Sequence, residues 1–207
     1  CSGWESSKVM ADTRTNILII MTDQHNRNFM GAAGNNLVRT PNLDALASEG
    51  TRFTNAYCPS PLCVPSRMSF MTGMYPSKNR VWNNSHILSS GIPTWAHILS
   101  SAGYDTALIG RMHFEGPDQR HGFESRPIGG PKAGHPGVPS LGGPAWTRFP
   151  GSTSGQSRVS VETAGRGKTH YQWQDEERTK AAVSYLRDRS TEDTDRPFAA
   201  LVGYTLP

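Results

Sequence analysis

The sequence predicts an α/β fold in which a mostly parallel sheet is sandwiched by helices. Three observations carry that expectation. Short apolar runs, "NILIIM" at 16–21, "DTALIG" at 105–110 and "RPFAALVGYTLP" at 196–207, read as strands buried on both faces. Between them lie stretches with helical periodicity, closed by glycine. Strands that alternate with helices need crossover connections, and crossovers favour parallel pairing.

Taken in order, "NILIIM" breaks into "TDQHNRN", the kind of strand-to-loop step at which open α/β sheets place their chemistry. In "TPNLDALASEG" (40–50), Thr40 suits an N-cap and Pro41 the first helical position; Leu43, Leu46 and Ala47 share a face, and Gly50 stops the helix. "TRFTNAYC" (51–58) alternates well enough for a second strand. A helix is expected from Pro65 to a Gly73 terminator, and another through "IPTWAHILSSAG", with Trp95, Ile98, Leu99 and Ala102 on one face. Residues 127–168, rich in Gly, Pro and Ser, read as a long surface loop or insertion. The clearest helix runs from Trp173 to Ser190, with Asp175, Glu176 and Glu177 at its start, Arg187 and Arg189 at its end, and Thr179, Ala182, Val183 and Leu186 down one face.

Composition narrows the function classes. At 207 residues the chain is long enough for one domain or for part of a larger one, and 21 Gly with 15 Pro suggest long loops. The net charge of +4 permits an anionic substrate. Its basic residues are scattered, which argues against nucleic acid, and no apolar stretch reaches the length of a membrane span. Three cysteines, Cys1, Cys58 and Cys63, are too few for a disulfide framework, and Cys58 is expected to be a buried thiol. The opening "CSGWESSKVM" has two readings. If Cys1 is a processed lipoprotein terminus the location is periplasmic; if Met10 is the start it is cytoplasmic. Residues 1–13 are therefore expected to be a disordered or non-native extension.

Cys63 carries the chemistry. In "SPLCVPSRMSFMTG", Pro65 fits the first turn of a helix, so Cys63 sits at or just before an N-terminus, where unpaired N–H groups favour an anion. Arg67 lies one turn along the same face and can aim a cation at the same point. An isolated cysteine is most often a small buried hydrophobe, and an isolated arginine a surface charge. The whole run weighs against that reading: Cys-x-Pro-x-Arg arises by chance in a chain of this size on the order of once in a hundred.

"CVPSRMSFMTG" resembles the signature of the sulfatase family, Cys-x-Pro-x-Arg followed by Thr-Gly. The resemblance implies that Cys63 is oxidised by a dedicated maturation enzyme to formylglycine. A hydrated aldehyde carries two hydroxyls on one carbon: one can attack sulfur, and the other later loses its proton and expels sulfate. "ILIIMTDQ" resembles the sulfatase opening that supplies the first metal ligands. Asp23 and Gln24, with the modified Cys63, would thus hold Ca²⁺ or Mg²⁺. "IGRMHFEGPDQRHGFE" is similar to the Gly-Lys-x-His stretch and closest to choline-sulfatase-like members. It implies that His113 contacts the diol or a substrate oxygen and that Arg111 replaces the sulfate-binding lysine. Arginine keeps the charge and can grip two oxygens, yet donates a proton poorly, which leaves His113 as the nearest candidate acid. "RVWNNSH" offers Asn84 near the transferred group, while His121 and His135 are expected at the surface and Asp118 in a turn.

By this resemblance, residues 14–207 form the N-terminal part of an alkaline-phosphatase-like catalytic domain, incomplete at the C-terminus, whose remaining metal ligands lie beyond it. The expected activity is hydrolysis of a sulfate monoester through Cys63-derived formylglycine, the isolated fragment being inactive. Two alternatives remain at this point: a phosphonate monoester or phosphodiester hydrolase of the same superfamily, and a non-catalytic zinc- or thiol-based module built on Cys58, Cys63, His86 and His113.

Overall fold

The computed structural model describes residues 14–129, 165–192 and 194–207, together with Arg158 and Glu162. The expected extension at 1–13 and most of the expected loop at 127–168 lie outside the described residues. Four parallel strands form one sheet in the order β1-β4-β2-β3, where β1 is Ile17–Met21, β2 Asp105–Gly110, β3 Ser125–Ile128 and β4 Phe198–Gly203. β4 is inserted between β1 and β2 and pairs with both, Leu201 lying opposite Ile19 on one side and Leu108 on the other.

Among the described residues five α-helices accompany the sheet: α1 (Pro41–Glu49), α2 (Cys63–Thr72), α3 (Pro76–Asn79), α4 (Trp95–Ser101) and α5 (His170–Thr191). Side chains alternate across a strand, so neighbouring residues of β2 and β4 serve opposite faces. Leu108 and Leu201 enter one cluster with Val64, Met68 and Met71 of α2 and Ala96 of α4. Ile109 and Val202 enter another with Ala182 of α5. Helices therefore cover both faces, as the fully buried runs of β2 and β4 require.

Local sequence explains most of the helix ends. Gly73 closes α2 in the left-handed conformation (φ 66°), its N–H bonded to Ser69 O. Thr94 caps α4 in a capping box with His97, and Thr169 caps α5 in another with Gln172. Helix α2 begins at Cys63, two residues before the expected Pro65 start, with Leu62 as N-cap.

Several expectations are corrected. Residues 51–58 form no strand: Phe53 and Tyr57 are 81% and 90% exposed, and no described strand lies alongside to take their backbone groups. Among the described residues β1 is an edge strand open on one face, with Leu18 and Ile20 43% and 63% exposed. The apolar face of α1 is not covered either, as none of its residues is buried. Ile128 belongs to β3, inside the expected loop, because β3 pairs with β2 through a short irregular register. The buried face of α5 is rotated from the expected one to His170, Gln174, Arg178 and Ala182, while Val183 is turned partly outward. The helix starts at His170 rather than Trp173, so Asp175 lies beyond the first turn; it accepts the N–H groups of Thr205 and Leu206, and Arg178 is drawn inward by Asp175 and Thr205. His121 is buried rather than at the surface, packed on Phe114 with ring centroids 4.5 Å apart. Cys58 is exposed, its thiol directed to Ser60 O, and is not the buried thiol expected. Asp118 does make a turn, accepting the N–H groups of Arg120 and His121. No described helix is long and apolar enough to cross a membrane.

Candidate active site

Three parallel strands deliver their following residues to one end of the sheet. β1 leads to Asp23 and Gln24, β2 to Arg111 and His113, and β4 to Tyr204 and Thr205. Parallel order alone brings these segments together, since all strands end on the same side. Two backbone bonds lock the junction: Arg111 N–H donates to Gly203 O (2.8 Å) and Tyr204 N–H to Met21 O (2.8 Å). Gly203 is required there, because a Cβ would stand 1.9 Å from Arg111 O. Gly110, its register partner, has φ 90°, and a Cβ on it would meet Gly203 O at 2.5 Å.

The N-terminus of α2 points at this junction. Cys63 Sγ lies 3.9 Å from Asp23 Oδ1. The other carboxylate oxygen, Oδ2, is 3.4 Å from Arg67 Nη2 and 3.3 Å from Arg111 Nη2. Arg67 is only 5% exposed, and its Nη1 also donates to Arg111 O (3.0 Å). Burial lowers the pKa of its guanidinium; Asp23 pulls the other way, and neighbouring Arg111 adds to the lowering. Two cations against one carboxylate leave a surplus positive charge beside the thiol, at the positive end of the α2 dipole.

Asn84 closes the cluster from another loop. Its side-chain oxygen accepts the N–H of Val64 at 3.0 Å, satisfying one of the donors that the first turn of α2 would leave unpaired. That leaves the amide nitrogen as the group Asn84 can turn toward a ligand. Gln24 and His113 are both in the left-handed region, with φ 58° and 59°. The same Arg111 Nη2 also lies 3.0 Å from His113 Nδ1, and His113 Nε2 lies 3.6 Å from Glu115 Oε1.

A cleft of about 880 Å³ opens over Cys63 and Asp23, walled by Gln24, Tyr57, Phe70 and Tyr75 among others. The structure thus gathers Cys63, Arg67, Asp23, Arg111, His113 and Asn84 around one point, with Gln24 on the cleft wall. It does not gather the zinc alternative: Cys58 faces its own loop, and His86 is held within residues 80–86, accepting Trp82 N–H (3.1 Å). Among the described residues no group of three or more His, Cys, Asp or Glu is placed to hold a metal ion. Glu115 and the aromatic wall were not legible from sequence: an acidic residue in a loop, or a tyrosine beside a proline, carries no signal of its own.

A family model described as sulfatase matches residues 15–203, most of the chain. The chain belongs to the sulfatase family. This sulfatase chain is 52% identical over 117 residues to a choline-sulfatase of Rhizobium meliloti, a match covering 56% of the chain and 23% of that relative. To the steryl-sulfatase of Homo sapiens it is 40% identical over 121 residues, covering 53% and 21%. It thus spans about a quarter of the length of the curated relatives it matches. Among solved structures, it superposes on a protein bound to its substrate D-glucosamine-2-N,6-O-disulfate with TM-score 0.65 at 26% identity, covering 92% of this chain and 34% of the other. The phosphonate monoester hydrolase of Agrobacterium radiobacter gives TM-score 0.60 at 24% identity, covering 93% and 41%, a likeness of fold. The sheet with helices on both faces is accordingly the alkaline-phosphatase-like architecture of the sulfatases.

Proposed function

We propose that the protein containing this chain hydrolyses sulfate monoesters, with Cys63 as the precursor of its nucleophile. The observation that carries this reading is the placement of Cys63 at the mouth of α2, 3.9 Å from Asp23, with Arg67 and Arg111 on the other oxygen of that carboxylate. A thiol meant only for packing would not be set among charges whose desolvation is costly. As formylglycine, position 63 would supply a geminal diol able both to attack sulfur and to release sulfate.

The other residues divide the remaining work. Arg111 keeps donors beyond those given to Asp23 and His113, and with Arg67 it offers positive charge to the sulfate oxygens. Asn84 adds a neutral donor through its amide nitrogen. Arg67, buried and tied to both Asp23 and the backbone of Arg111, fixes the distance between β1 and β2 residues at the site. The donor chemistry of Asp23 and Gln24, one carboxylate and one carboxamide oxygen, fits Ca²⁺ or Mg²⁺ as part of a shell of six or more oxygens. Such an ion would neutralise charge on the sulfate ester and on the nucleophile. Among the described residues no group of three His, Cys, Asp or Glu gathers there, so water or further protein oxygens would complete the shell. The aromatic and apolar wall of the cleft, Tyr57, Phe70 and Tyr75, is where the leaving group would lie.

The test uses the complete protein, co-expressed with a formylglycine-generating enzyme. Mass analysis of the peptide holding Cys63 is expected to show the aldehyde, and sulfate ester turnover is expected to fall at least about a thousandfold in Cys63→Ala. Turnover of phosphonate esters in preference to sulfate esters would favour the phosphonate hydrolase reading. An unmodified thiol ligating zinc would overturn both.

A further inference from the structure

His113 is held between two charged groups of opposite sign, and that decides where its proton sits. Nδ1 faces Arg111 Nη2 at 3.0 Å. A guanidinium has only donors, so this contact is attractive only while Nδ1 presents its lone pair, which in a neutral ring requires the proton on Nε2. Nε2 in turn faces Glu115 Oε1 at 3.6 Å, with both side chains largely out of solvent, 19% and 15% exposed. The alternative tautomer sets an N–H against the guanidinium N–H groups and a lone pair against the carboxylate. Both ends of the ring would then be repelled.

We propose that Glu115 is a positioning residue of the active site: it fixes the Nε2–H tautomer of His113, so that Nδ1 holds Arg111 beside Asp23 and Cys63. The groups form one line, Glu115 to His113 to Arg111 to Asp23, in which each neighbour is of complementary polarity. Arg111 Nη2 is clamped between two acceptors, His113 Nδ1 and Asp23 Oδ2, and cannot move without losing one. Glu115 acts on the reacting centre through the imidazole and does not itself touch it. The catalytic purpose rests on the sulfatase reading of the site; the tautomer does not.

Long-range ¹H–¹⁵N NMR of the imidazoles in this chain tests the assignment, with His113 identified by the signal lost in His113→Gln. The wild-type protein is expected to show a pyridine-like Nδ1 and a pyrrole-like Nε2 at His113. Glu115→Gln, which keeps an oxygen acceptor, is expected to preserve that pattern, and Glu115→Ala to replace it with an averaged one. In the complete enzyme Glu115→Ala is expected to lower kcat/KM roughly tenfold, with most of the loss restored by Glu115→Gln. A proton on Nδ1 in the wild type, or an unchanged His113 spectrum in Glu115→Ala, would overturn the proposal. The expected spectra without any sulfatase turnover would instead sink the hydrolase reading and leave the role of Glu115 in fixing the tautomer intact.

Discussion

The centre of the sheet and its β1 edge are packed very differently. Along β2 and β4, Ala107, Leu108, Ile109, Ala199, Ala200, Leu201 and Val202 are all at most 2% exposed, covered on one face by α2 and α4 and on the other by α5. At the edge, Leu18 and Ile20 look outward, and Leu46 of α1, Phe53 and Tyr57 are more exposed still. The candidate site straddles this boundary. Cys63, Arg67 and Arg111 are anchored in the packed part, while Asp23 and Gln24 leave from the edge strand. The lesson is that the cation half of the site is fixed by the core, and the carboxylate half chiefly by its ion pairs with those cations.

Four substitutions or conditions would break or sharpen that contrast. The largest effect is expected for Gly203→Ala, where the new methyl would collide with the backbone of Arg111 rather than with a side chain that could move aside. Loss of the cooperative thermal transition, followed by circular dichroism, is expected; an unchanged midpoint would show that the junction is looser than its geometry. Next comes Leu201→Ala, fully buried in the central strand, at about 2–5 kcal/mol by denaturant titration. Acidification should act through His121. Its pKa is lowered from 6.5 by burial, with Asp118 pulling the opposite way. The unfolded chain therefore binds this proton more readily than the folded one. The stability that goes with the neutral ring is complete above about 6.5 and is lost as pH falls toward the depressed folded value. Melting curves from pH 8 to 5 should show a drop that is smaller in His121→Gln. The smallest effect is expected for Ile20→Ala, within about 0.5 kcal/mol in this chain, since the side chain is 63% exposed. A cost close to that of Leu201→Ala would erase the contrast.

The same contrast separates what could be read in the sequence from what could not. β2 and β4 were legible because a strand buried on both faces must be a continuous apolar run. β1 has the same composition, yet burial also depends on what lies alongside, and composition is silent on that. "TRFTNAYC" alternates as a strand would, but alternation only permits pairing, and no described strand lies beside it. β3 was missed because Arg126 sits where an apolar residue would signal burial; it is only 5% exposed, with Nη1 donating to Gln119 O and Oε1. The face of α5 was misjudged for a related reason: Gln174 and Arg178 are buried polar residues, satisfied in part by partners that hydropathy does not see. At the site, the charged residues were found through a local motif, whereas Glu115 and the cap from Asn84 to Val64 are tertiary contacts with no sequence period.

The strand order carries one more consequence, for the timing of assembly. β1 and β2 are not neighbours in the sheet; they are joined through β4, which pairs with both and is the last of the four to be synthesised. Until residues 198–203 slide into the gap, nothing in the sheet holds Asp23 opposite Arg111, and the α2 mouth has no carboxylate fixed across from it. A nascent chain would thus pass through a stage in which Cys63 already exists but its electrostatic surroundings do not, and the site would come into being in a single late step.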